Sequence, residues 1–291
     1  MRYVPAMEAE TVGFRPIGSL RTRSFAEAAV DVWDVECSAA AHGRYLSPDP
    51  RLFVTLGQGE CVFEMEKGSV SARHEGVCFS FIPARTFLTG RVAGAGRLSH
   101  LDVHFSERFV LQQLDPALRT ARLGVPRLAV RDDLAAVLVD TLLADAHDGK
   151  TPADIYGEVL VRALLWRILG GFKQGTSAVS RLSAPALARV IVHMDRECFS
   201  PFRLVHLARL AEMSESRFGQ AFRATTGITP MRWHMSRRVA RLQHMLLEGD
   251  RSLTELAHLA GFADHAHLTR SFKALVGLPP TQWLRRALAT V

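Results

Sequence analysis

The chain has 291 residues, 48% of them hydrophobic and 22% charged, with a net charge of +7; that is ordinary globular composition and enough length for two domains. No apolar run reaches 18 residues, and Met1-Arg2-Tyr3-Val4-Pro5 lacks the apolar core of a signal peptide, so neither a membrane span nor a leader is expected and a cytoplasmic location is. Cys37, Cys61, Cys78 and Cys198 show no paired spacing and read as small buried hydrophobes in a reducing compartment.

Residues 1 to about 110 read as strands. Phe53-Val54-Thr55-Leu56 and Cys61 to Glu66 flank Gly57-Gln58-Gly59, which reads as a hairpin-like connection. Further strands follow at Val70 to Arg73 and, after His74-Glu75-Gly76, at Val77 to Pro83. From Leu98 to Phe105 the alternation puts Leu101, Val103 and Phe105 on one face and His100, Asp102 and His104 on the other. Many short strands with glycine turns mean a sandwich or barrel.

From about Glu107 the period becomes helical, with Leu134, Leu138 and Leu142 on one segment. Thr151-Pro152 starts another, on which Ile155, Val159, Ala163 and Trp166 form a stripe. These helices are apolar on more than one side and suit a helical hairpin packed on the barrel or on a second subunit. The segment Phe172 to Ser183 has no periodic stripe and reads as a linker, after which Ser183 caps a helix carrying Pro185 in its first turn.

The last third contains one helix-turn-helix pattern twice. Leu204 to Ala211, a turn at Glu212-Met213, Ser214 as N-cap and a helix through Phe222 are followed by Gly227, Pro230 and Trp233. Leu253 to Ala260, Gly261-Phe262, Asp264 as N-cap and a helix through Phe272 are followed by Gly277, Pro280 and Trp283. The second turn is one residue longer. Helical spacing sends Phe218, Ala221 and Phe222 inward and leaves Ser216, Arg217, Gly219, Gln220 and Arg223 outside. In the second copy Leu268, Ser271 and Phe272 face inward, and His265, Ala266, Thr269, Arg270 and Lys273 face outward. Between the copies Met231 to Glu248 reads as one helix burying Val239, Leu242, Met245 and Leu246, with Arg232, Arg237, Arg238 and Arg241 at polar positions. From Pro185 to Val291 there are 15 Lys+Arg against 8 Asp+Glu, whereas Met1 to Ala184 has 21 of each, so the whole positive excess sits with the repeat. A basic outer face on the second helix of such a pair is what a DNA major groove requires.

At these residues, most specifically Ala260-Gly261-Phe262, Asp264, His267-Leu268, Arg270, Phe272-Lys273, Gly277 and Pro279-Pro280, the chain resembles the DNA-binding domain of the AraC/XylS family of bacterial transcription regulators. The resemblance covers about a third of the chain, roughly Ser183 to Arg286. It implies an α+β protein: a cupin-like β-barrel with a helical hairpin as sensor and dimerisation domain over 1–173, a linker over 174–183, and an all-α domain over 184–291. That last domain would hold helix-turn-helix units at 203–225 and 252–275 joined by a linker helix. It also places base-reading positions at Ser216, Gly219 and Gln220, and at His265, Ala266, Thr269 and Arg270. The chain departs from the family pattern where Gln220 replaces a frequent Arg, where Gly219 offers no side chain, and where Arg203 stands in the place of the capping Ser252.

The expected DNA contacts are therefore Ser216, Arg217, Gln220, Arg223, His265, Ala266, Thr269, Arg270 and Lys273. Gln220 suits adenine, while Arg270 suits guanine or a phosphate. Trp33, Phe53, Phe63, Phe81 and Arg85 are candidates for a small-molecule effector pocket, with plain core as the competing reading for the aromatics. The His100-x-Asp102-x-His104 face offers a metal set only in outline, so no metal, no cofactor and no enzymatic activity is expected. The reading is a sequence-specific transcription regulator, an activator with repressor left open, acting on promoter DNA with RNA polymerase, with a small-molecule effector as a candidate ligand and dimerisation through its amino-terminal domain. A metal-dependent cupin enzyme fused to a DNA-binding domain and a non-specific architectural DNA binder are the alternatives.

Overall fold

The computed structural model describes residues 3–65, 71–113, 123–146, 155–169, 181–249 and 251–289. The expected helix start at Thr151-Pro152 and most of the linker at 174–183 lie outside them. Contacts divide the chain into two compact units, Met1–Ala136 with Leu164–Gly171, and Val137–Ala163 with Phe172–Val291. Residues 137–163, expected with the amino-terminal domain, thus group with the carboxy-terminal unit.

The described strands are β1 (Glu8–Pro16), β2 (Arg21–Ser24), β3 (Ala28–Leu46), β4 (Arg51–Met65), β5 (Ser71–Ile82), β6 (Leu88–Val92), β7 (Gly96–Phe105) and β8 (Arg127–Val130). Strands β3 and β4 are long enough to pair twice. The first half of β3 pairs antiparallel with β7, and its end pairs with β6. Strand β4 divides in the same order, Arg51 to Thr55 against β7 and Cys61 to Met65 against β6. The hydrogen-bonded ring β3-β6-β4-β7 is thereby closed, and this makes the region a barrel. Strands β1 and β2 flank β3, while β5 and then β8 extend the sheet beyond β4.

Gly57-Gln58-Gly59 is not a hairpin connection. Both halves of β4 pair with the same strand, Leu56 with Val77 and Glu60 with Glu75, and the glycines form a bulge between them. Gly57 and Gly59 have φ of 83° and 80°. A Cβ on Gly59 would lie 2.4 Å from the Arg97 carbonyl oxygen, so only glycine lets β4 bend there and reach both partners. The expected break at His74-Glu75-Gly76 is absent for the same reason: β5 runs on through it.

In the half of the barrel built on β7, both faces of the sheet are buried. Leu52, Val54, Phe79, Phe81, Leu101 and Val103 lie on the outer face, joined by the pairs Leu52–Phe81, Val54–Phe79, Leu52–Val103 and Val54–Leu101. Arg51, Phe53, His100, Asp102 and His104 point the opposite way, to the interior. Helix α1 (Glu107–Gln113) follows, its Phe109 stacked on Phe105 at 5.9 Å. Asp132 caps α2 (Asp133–Ala146) through the Ala135 N–H, and Leu134, Leu138 and Leu142 are buried as expected. Helix α3 (Ile155–Leu169) is buried on several sides.

In the carboxy-terminal unit, α4 (Ala184–Arg196), α5 (Leu204–Leu210) and α6 (Glu215–Thr226) precede the long α7 (Pro230–Glu248), and α8 (Leu253–Leu259), α9 (His265–Val276) and α10 (Pro280–Leu288) follow it. Ser183 accepts the Ala186 N–H and Thr229 the Arg232 N–H, which starts α4 and α7 where the sequence places them. The 19 residues of α7 span about 28 Å. Its Val239, Leu242 and Leu246 share one core with Leu256, Phe262, Leu268 and Phe272 of the second repeat. In the first repeat Phe222 meets Trp233 edge-on at 5.5 Å, and Trp233 also meets Tyr156 of α3 at 5.8 Å.

Candidate nucleic-acid interface

Helices α5 and α6 form the first helix-turn-helix, and α8 and α9 the second. Their turns close with the same bond: the Met213 N–H donates to Ala208 O, and the Phe262 N–H to Ala257 O, both at 2.9 Å. Ala208 and Ala257 are buried at these crossings, where a larger side chain would push the helices apart.

The two copies differ at their caps. Ser252 and Glu255 form a reciprocal capping box on α8, whereas Arg203 gives α5 no side-chain bond. Asp264 accepts the His267 N–H at 2.6 Å, and that bond holds its carboxyl below the usual range. Ser214 has the extended backbone of an N-cap, but its hydroxyl makes no cap bond, so the expected side-chain cap on α6 is absent. Both second helices, α6 and α9, end at a left-handed glycine, Gly227 and Gly277.

The outward faces of α6 and α9 stand where helical spacing puts them. Ser216, Arg217, Gln220 and Arg223 are exposed on α6, and Phe218, Ala221 and Phe222 are buried beneath them. His265, Ala266, Arg270 and Lys273 are exposed on α9 above Leu268 and Phe272. Thr269 is half-buried, and its hydroxyl oxygen is shielded from solvent without a hydrogen-bond partner among the described residues. Gly219 is half-buried, with open space where a side chain would go. The first face thus carries two guanidiniums, a carboxamide and a hydroxyl, and the second carries a guanidinium, an ammonium and an imidazole. Such groups suit phosphates and base edges.

One arginine leaves the pattern. Helical spacing puts Arg238 at a polar position of the linker helix, yet it is 6% exposed. Its Nε donates to Cys198 O at 2.7 Å, its Nη2 to Ser200 O at 2.6 Å and its Nη1 to Gly261 O at 3.4 Å. Helical spacing does not reveal this, because the acceptors come from segments about 40 and 23 residues away. His234, at 3.2 Å from Nη2, is neutral: burial first, and Arg238 second, push its pKa down to about 4.

The barrel encloses a cavity of about 230 Å³. Of the candidate effector residues, Trp33, Phe53 and Phe63 line it, and Phe81 and Arg85 do not. Phe81 pairs with Leu52, one residue out of step with Phe53, so the pleat turns it to the outer face. The Arg85 side chain is 71% exposed, 3.8 Å from Glu107. Its polar floor is Arg51, Asp102 and His100; alternation along the strand puts His100 and Asp102 on one face, and only Arg51 has no signal in the sequence. Arg51 Nη1 donates to Asp102 Oδ1 at 2.9 Å, with both side chains 4% exposed. Burial alone would raise the Asp102 pKa; Arg51, helped by His100 and His104, outweighs it and holds the carboxyl well below the usual range. With a guanidinium on Asp102, the His100-x-Asp102-x-His104 face is a buried ion-pair network. Among the described residues no group of His, Cys, Asp and Glu is arranged to hold a metal ion, and no described helix is long and apolar enough to cross a membrane.

The sequence pattern of a helix-turn-helix domain family matches residues 207–286. A stretch of 126 residues is 29% identical to the thermoregulatory protein LcrF of Yersinia pestis, covering 42% of this chain and 46% of LcrF. A stretch of 114 residues is 28% identical to the virulence regulon transcriptional activator VirF of Yersinia enterocolitica, covering 39% of this chain and 42% of VirF. The chain thus spans less than half the length of these relatives. Among solved structures, the DNA-binding domain of AdpA in complex with a target DNA is 29% identical, over 36% of this chain and 95% of that one, with a TM-score of 0.34.

Proposed function

We propose that this chain, whose carboxy-terminal domain is of the AraC/XylS helix-turn-helix family, is a transcription regulator that reads two adjacent and unlike DNA segments. The observation that carries this is the pair of exposed polar faces, on α6 and α9, presented by two helix-turn-helix units on one linker helix. Because the faces carry different side chains, each calls for its own base pattern, and the site within one chain is not a palindrome. VirF is named an activator, and this chain takes that role too, with RNA polymerase as its second partner.

The amino-terminal barrel is assigned to effector sensing and homodimerisation, with the cavity bounded by Trp33, Phe53 and Phe63 as the effector pocket. Dimerisation would pair the asymmetric sites. The buried Arg51–Asp102 ion pair speaks against the alternative of a metal-dependent barrel enzyme, since a cation already occupies the carboxylate.

Selection of random duplexes by the purified chain, followed by footprinting, tests the reading. Two unlike motifs in neighbouring major grooves, bound at least about 10³-fold tighter than random duplex, are expected. Steep salt dependence without any recovered motif would make the chain an architectural binder instead.

A further inference from the structure

The linker helix α7 is joined to its neighbours by left-handed glycines at both ends, Gly227 before it and Gly249 after it, with φ of 81° and 78°. A Cβ on Gly249 would meet nothing within 4 Å. A rigid rod with a permissive joint at each end does not by itself fix the angle between what it carries. Apolar packing holds each repeat against α7, but such packing is non-directional.

Arg238, in the middle of α7, bonds directly to both sides. Its Nε and Nη2 reach Cys198 O and Ser200 O, just beyond the end of α4 in the first subdomain, where the helix dipole is negative. Its Nη1 reaches Gly261 O, and its guanidinium lies 5.6 Å from the Phe262 ring, both in the turn of the second helix-turn-helix. The two sides also touch: a Cβ on Gly261 would lie 2.3 Å from Phe199 O. Neutral His234 accepts from Nη2, so the donor fork is met by fixed acceptors.

We propose that Arg238 is a positioning residue that holds the two reading helices at one separation, so that the spacing between the two DNA segments is specified through this buried guanidinium. This rests on the reading above that both α6 and α9 enter DNA. Loss of the guanidinium frees the second unit to swing about α7 without altering either reading face. Tolerance to spacing changes, while each segment is still read as before.

The test uses the full chain and the duplex that selection with the wild type recovers. Derivatives carry one base pair added or removed between the segments, or one segment scrambled. One base pair moves the second segment by about 3.4 Å and turns it by about 35°. The wild type is expected to lose about tenfold or more in affinity on either spacing change. Arg238→Met is expected to lose less than about threefold, with affinity for each single segment within about twofold of wild type, and Arg238→Lys to fall between. An unchanged spacing penalty in a folded Arg238→Met protein, or a uniform loss on single segments, overturns the proposal. Amide residual dipolar couplings of the wild-type chain test it without a variant: both subdomains should report one alignment tensor, and two independent tensors overturn it. A wild type with no preferred duplex would instead sink the functional reading itself.

Discussion

Glu212 and Gly261 hold the same left-handed backbone in the turns of the two repeats, with φ of 57° and 69°. At this position glycine is comfortable and glutamate is not. Glu212→Gly is therefore expected to raise stability by about 0.5–1 kcal/mol, since the side chain gives up only an exposed ion pair with Arg189. Gly261→Ala meets both the conformational penalty and the Phe199 carbonyl, and should cost about 2–4 kcal/mol. Thermal unfolding of the two variants checks both signs; a Gly261→Ala protein as stable as wild type would refute the close approach.

The Arg51–Asp102 pair should behave as a buried ion pair does. Either Arg51→Met or Asp102→Leu alone is expected to destabilise the barrel by about 3–5 kcal/mol, because each strands a charge in the interior. The double variant should recover most of that loss. Denaturant unfolding of the two singles and the double measures the coupling, and additive losses would contradict it.

His234 makes the carboxy-terminal unit sensitive to acid. Its folded pKa of about 4 lies below the ordinary value near 6.5, so the unfolded chain binds the proton more readily. The stability is fully present above about pH 6.5 and is lost as pH falls toward 4, by at most about 3 kcal/mol. His234→Gln should flatten the profile between those limits. Thermal midpoints from pH 7 to pH 4, with an NMR titration of the ring, read the effect; a ring titrating near 6.5 would overturn it.

Two exposed side chains should separate recognition from attraction. Gln220→Ala is expected to erase an A·T preference at one position, worth about 1–3 kcal/mol of discrimination. Lys273→Ala should weaken all duplexes alike and reduce the slope of log affinity against log salt by about 1. Repeating the selection with each variant checks the pair, and an unaltered motif with Gln220→Ala would remove that residue from base readout.

Much of the proposed interface is legible in the chain. Helical spacing about Phe218, Phe222, Leu268 and Phe272 settles which neighbours face outward, because a helix carries its periodicity within itself. The Gly227 and Gly277 stops and the caps at Ser183 and Asp264 are equally local. Ser214 was the exception, in the place of a cap but without its bond.

What the sequence by itself determined is therefore the duplicated unit, its outward faces and its share of the charge. Only the tertiary structure decided which arginine is buried, which aromatics enter the cavity and where a strand bends rather than turns back. Arg238 and Arg241 share a residue type and a helix, yet the first is buried because α4 ends against it, while the second is exposed. Phe53 lines the cavity and Phe81 does not, because strand register sets the facing of both and is fixed by residues distant in the chain. Gly57 and Gly59 looked like a turn, and became a bulge only because β5 was there to pair with both halves of β4.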